Sequence, residues 1–126
     1  MRKALLTTLL LMSGCLCGGY DGGGNKVYQR SGAELLILCE NGGFVANLTS
    51  STIEGRYMEQ TPDVGIGVDG ATGDLAFDFT DHHDGTASTP QLGDTPWTQM
   101  NLDQVALDHA NVQCTDLEAR EWWTAQ

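Results

Sequence analysis

The densest collection of potential ligands in the chain is Asp81-His82-His83-Asp84, followed by Gly85. Two imidazoles and two carboxylates could hold a transition-metal ion, with Asp78 a further oxygen donor just upstream. Adjacent histidines on a strand point to opposite faces, so these groups converge only if the loop bends. A solvated loop at a strand end is the simpler reading. Asp69-Gly70-Ala71-Thr72-Gly73-Asp74 invites comparison with a calcium loop. It lacks carboxylates at the alternating positions and the terminal bidentate glutamate that such a loop requires, so a hairpin turn is expected. Asp108, His109 and Cys114 have the types of an orienter, base and nucleophile, but only if the thiol is free. No nucleophile elbow, phosphate-cradling glycine loop or paired-histidine zinc helix occurs. No catalytic residue is assigned, no cofactor is called for, and the expectation is a protein that is not an enzyme. Trp97, Trp122 and Trp123, with Tyr57, could form a stacking surface for a glycan or a partner protein. Core packing is their plainer role. Consecutive helical residues point about 100° apart, so Trp122 and Trp123 should divide between core and rim.

Positioning any of these groups requires a scaffold, and from Lys26 onward the apolar residues recur mostly with period two. Val27 to Arg30 reads as a strand. Glu34 to Glu40 is a continuous apolar run, the mark of a strand covered on both faces. Asn41-Gly42-Gly43 supplies the positive φ of a tight turn, after which Phe44, Ala46 and Leu48 alternate with Val45, Asn47 and Thr49. In Thr52 to Glu59, Ile53 and Tyr57 share a face. Val64, Ile66 and Val68, then Leu75, Phe77 and Phe79, are expected on one buried face of a hairpin. Asp81 to Pro96 reads as a polar loop and Trp97 to Met100 as a last strand. Asn101 or Asp103 caps a helix through Ala110, and Thr115-Asp116-Leu117-Glu118 has the pattern of a capping box opening a second helix to Trp123. The fold class is mainly β. It should be a small antiparallel meander of five to seven strands, a sandwich or open barrel, with a C-terminal helical segment packed on it. This short-strand plan, with Glu54-Gly55-Arg56-Tyr57 opening a new rung, is similar in pattern to lipocalin-like and META-like bacterial lipoprotein domains. No functional residue is carried over from that similarity.

The amino terminus speaks of destination. Arg2 and Lys3 precede Ala4 to Met12, nine uncharged residues that as a helix rise about 14 Å, roughly half a bilayer's hydrocarbon thickness. That length suits an export signal rather than a permanent span. Met12-Ser13-Gly14-Cys15 resembles the lipobox of bacterial lipoprotein precursors, with Met12 where that family usually has leucine. The resemblance implies cleavage before Cys15 and acylation of its thiol. Leu16 makes Cys17 the poorer candidate. Two or three acyl chains anchor stably where one holds marginally. Leu16 in place of aspartate implies outer-membrane delivery if the source is Gram-negative. The domain boundaries read 1–14 signal peptide, 15–25 acylated cysteine and glycine-rich tether, and 26–126 one β-rich domain. Five glycines between residues 16 and 25 give the tether a typical reach of ~17 Å.

Without residues 1–14 the chain has four basic against seventeen acidic residues, a charge of −13. Such a surface repels nucleic acid and anionic headgroups. Cys39 and Cys114 lie near the two ends of the domain and, in an oxidising compartment, read as a disulfide, with exchange between Cys17 and Cys114 left open. The expected function is a lipid-anchored envelope protein serving interaction or structure, with an envelope protein or glycan as partner. The alternative is a ligand-binding module that takes a metal at His82/His83 or an apolar molecule within the meander. A hydrolase using carboxylates comes third.

Overall fold

The computed structural model describes residues 24–30 and 33–124. The signal-like segment, Cys15, Cys17 and most of the tether lie outside the described residues. Eight antiparallel strands run in sequence order: β1 (Lys26–Arg30), β2 (Glu34–Leu38), β3 (Gly43–Asn47), β4 (Thr52–Glu59), β5 (Val64–Asp69), β6 (Leu75–Asp81), β7 (Thr86–Ser88) and β8 (Trp97–Gln99). Each pairs with its successor, and β8 returns to β1 through Tyr28 opposite Gln99 and Gln29 opposite Thr98, so the sheet closes into a barrel. The expected meander is present, but five to seven strands was too few. The missing strand is β7, inside the supposed polar loop. Its one apolar residue, Ala87, carries no alternation signal, yet Ala87 is fully buried opposite Trp97.

The barrel is filled by its own side chains. Phe44, Phe77, Trp97 and Leu36 are fully buried, joined by Tyr28, Leu38 and Phe79. An eight-stranded barrel has an interior just wide enough for this. Trp97 donates from Nε1 to Thr89 Oγ1 at 2.8 Å, which satisfies its one polar atom. Phe44 and Phe77 meet edge to face at 4.9 Å, as do Tyr28 and Phe79 at 5.4 Å.

The β5–β6 hairpin departs from expectation. Val64, Ile66 and Val68 turn outward and are half-buried, while Gly65 and Gly67 face the interior opposite Phe79 and Phe77. The aromatic rings need that space. A Cβ on Gly67 would lie 2.4 Å from the Phe77 ring, and one on Gly65 would lie 2.2 Å from the Tyr57 hydroxyl. Volume on one strand is matched by its absence on the next, a long-range term that alternation within β5 does not contain. An irregularity between Gly67 and Val68 then leaves Leu75 half exposed.

β2 is covered on both faces, as its apolar run requires. Leu36 and Leu38 enter the barrel, while Ile37 and Cys39 join Val27 and Val45 under helix α1 (Gln104–Leu117). Asp103 caps α1, accepting from the Ala106 amide at 2.9 Å. Ala110, Cys114 and Leu117 form the buried stripe of α1. The helix does not end near Ala110, and Thr115 and Glu118 do not form a capping box. Thr115 lies inside α1, and Glu118 is its C-cap. The Glu118 carboxylate accepts instead from Asn41 Nδ2 at 2.9 Å. Cys39 and Cys114 form a disulfide with their Cα atoms 5.7 Å apart. A short α2 (Glu121–Thr124) follows.

Candidate functional site: the open end of the barrel

The two ends of the barrel differ. At one end Arg30 acts as a plug. Its guanidinium lies 4.2 Å over the Trp97 ring, bonds Glu34 at 2.9 Å, and donates to the Thr95 and Leu92 carbonyls. These contacts hold the Glu34 carboxyl below the usual range, the Arg30 hydrogen bond foremost and the Thr49 amide next.

The other end carries the β2–β3, β4–β5 and β6–β7 connections and opens into a cavity of about 240 Å³. Its floor is aromatic: Tyr28, Tyr57 and Phe79, with Leu38. Glu40, Glu59, Asp63 and Asp81 stand around it, with Lys26 the one basic group of the lining. Strand parity explains the placement. Tyr28 and Lys26 alternate inward on β1, Tyr57 and Glu59 on β4, and Phe79 and Asp81 on β6, so each strand brings an aromatic ring below a charge at the rim. Neither phenol hydroxyl has a hydrogen-bond partner among the described residues, although Tyr28 is 2% exposed. Burial, and then the Asp81 carboxylate, pushes Tyr28 up to about 12. Tyr57 is likewise raised, by burial first and then Glu59. Both phenols therefore stay protonated and can donate.

The sequence singled out Asp81 of this group for another chemistry. The Asp81–Asp84 loop does bend, with His83 at φ 60° and its amide bonded to Asp81 Oδ1 at 2.8 Å. The bend separates the histidines. His82 Nε2 meets Ser88 Oγ at 2.7 Å, and His83 Nε2 bonds Asp63. Asp84 accepts from the Thr86 hydroxyl at 2.6 Å, and Asp78 is held by Gln91 near the far end. Among the described residues no three His, Cys, Asp or Glu side chains converge as metal ligands. The Asp63 hydrogen bond, more than any other contact, raises the His83 pKa. Asp69 to Asp74 forms the expected hairpin turn, with Asp69 Oδ1 accepting from the Ala71 amide at 2.8 Å. Cys114 is in the disulfide, so it is no nucleophile.

Trp97 cannot belong to a recognition surface. It is fully buried in the barrel, because closing the sheet on β1 turns β8 inward. Trp122 and Trp123 do not split between core and rim. Both are half-buried on the outer wall, Trp122 against Gly70 and Trp123 against Gly43. Arg56 lies 4.3 Å over Trp123, and Arg120 forms a fork with Glu54 at 2.8 and 3.0 Å. All three arginines of the described residues are thus engaged inside the fold, and Lys26 is the one cation there without such a contact.

Tyr28, Glu40, Glu59 and Asp63 were not foreseen as site residues. Their one local signal is a tyrosine, rather than a phenylalanine, at an inward position one pair from a strand end. The chain matches no protein-family model, no curated protein and no solved structure. Fold and site therefore define its class: a filled, closed, eight-stranded antiparallel barrel with an acidic mouth floored by tyrosine.

Proposed function

We propose that the chain is an exported, lipid-anchored envelope protein, moored through Cys15, whose barrel is a non-enzymatic interaction module facing the periplasm or the surface. The filled interior carries this reading. With Phe44, Phe77 and Trp97 occupying the barrel, an internal apolar ligand has no room, and what the fold offers outward is its wall and its acidic mouth. The Cys39–Cys114 disulfide suits an oxidising compartment. The seventeen acidic residues favour a basic partner protein over nucleic acid. Replacing Cys15 with alanine, or inhibiting lipoprotein signal peptidase, should move the protein from the detergent phase to the aqueous phase and leave an unacylated amino terminus by mass spectrometry. Unchanged partitioning and mass would remove the anchor.

One observation favours a second reading, a small apolar ligand. A groove of about 360 Å³ runs between α1 and the outer wall, lined by Val27, Leu35, Ile37, Met100, Leu102 and Val105 among others. Binding of a fluorescent fatty acid that Leu35→Glu abolishes would support it.

A further inference from the structure

We infer that the open end of the barrel is a socket for an alkylammonium group, presented as a lysine side chain by a basic partner. The inference deepens the reading of the barrel as an interaction module and does not depend on the lipid anchor. Three features carry it. The floor is lined by the rings of Tyr28, Tyr57 and Phe79, and a desolvated ammonium is attracted to aromatic side chains. The rim places Glu59 and Asp81 above that floor, acceptors matched to the donors of an ammonium, with Asp63 beside them already bonded to His83. The third feature is independent of charge. Tyr28 is almost wholly buried, lines the cavity, and has no hydrogen-bond partner among the described residues. Its hydroxyl opens on the cavity and not into the packed core, since Arg56 Nε is the one buried side-chain polar atom without a partner among the described residues. The ring is packed by Phe79 and the barrel core, no contact among the described residues uses the hydroxyl, and that oxygen is left to meet a ligand.

The size agrees. The cavity of about 240 Å³ lies below the ~300–1,000 Å³ typical of drug-sized ligands, so it suits one side chain or a small amine. A metal ion fits less well, since no three ligating groups converge among the described residues. Lys26 stands at the same mouth and opposes a second cation. Its removal should tighten binding.

The test is calorimetric titration of the purified full-length protein with Nα-acetyl-lysine methylamide, its norleucine counterpart and spermidine. The lysine compound should bind and the norleucine compound should not. Asp81→Asn should weaken binding about tenfold, the loss of one charge-assisted contact. Asp108→Asn, the same charge change on α1, should leave it unaltered. Tyr28→Phe and Tyr57→Phe should weaken binding while thermal stability stays level, a divergence that a purely structural tyrosine would not produce. Stronger binding of a glycine-flanked lysine peptide than of spermidine assigns the ammonium to a protein, and the reverse order assigns it to a free polyamine. Equal binding of the norleucine compound, no binding of any amine, or an Asp108→Asn effect equal to that of Asp81→Asn would overturn the socket. None of these outcomes bears on partitioning of the Cys15→Ala protein, so the anchor and the socket fail separately.

Discussion

Tyr28 keeps its proton to about pH 12 in the folded protein, whereas an unfolded tyrosine loses it near 10. Between those values the unfolded chain binds fewer protons than the native one, so stability is whole below pH 10 and declines as pH rises toward 12. Tyrosinate absorbance should therefore appear together with loss of circular dichroism, and Tyr28→Phe should flatten the decline. Arg30 is the residue-scale counterpart at the closed end. Replacing it with methionine removes the cation over Trp97 and leaves Glu34 Oε1 and the Leu92 and Thr95 carbonyls without the Arg30 donor. A loss of about 3 kcal/mol in urea denaturation is expected, in the range for breaking a buried pair. In the sequence Arg30 is one more basic residue at the end of a short strand. Its role became visible only when the 89–96 segment folded across the barrel end.

At the scale of elements, α1 is held to β1–β3 by one apolar stripe, the disulfide and Asn41, whose Nδ2 also donates to the Cys114 carbonyl at 2.9 Å. Changing both Cys39 and Cys114 to serine should lower stability by up to about 4.5 kcal/mol on the chain-entropy model for a separation of 75 residues. Amide exchange in α1 should accelerate before exchange in β2–β4 does. The β5–β6 hairpin gives the opposite sign of packing error. Gly67→Ala forces a methyl to 2.4 Å from Phe77, and overpacking of that kind costs about 1–3 kcal/mol by thermal melting. Element existence was largely legible: seven of the eight strands lie where runs and alternation put them. Helix phrasing and the facing of β5 were not. Thr115 and Glu118 have the spacing of a cap but lie where α1 is already packed by Cys114 and Leu117, and tertiary burial outweighs a local capping preference.

For the whole molecule, the charge balance sets the expected response to salt. Six basic residues against seventeen acidic ones make the folded chain repel itself, and the arginines of the barrel are already engaged internally. Raising ionic strength from ~0.01 to ~0.15 M shortens the screening length from about 30 to about 8 Å, so the melting temperature should rise with sodium chloride at neutral pH. Period-two alternation, the two-sided run of β2 and Gly42 with its positive φ are local signals, and they made a mainly β domain legible, with Cys39–Cys114 the leading pairing and Cys17–Cys114 left open. Closure of the sheet, the choice of glycines to face aromatic rings, the burial of Trp97 and the meeting of Tyr28, Tyr57 and Asp81 at one mouth were decided only in the tertiary structure. The reason is physical. Each depends on which strand lies across the barrel from which, and parity along a strand sets which side a residue faces but not what it faces.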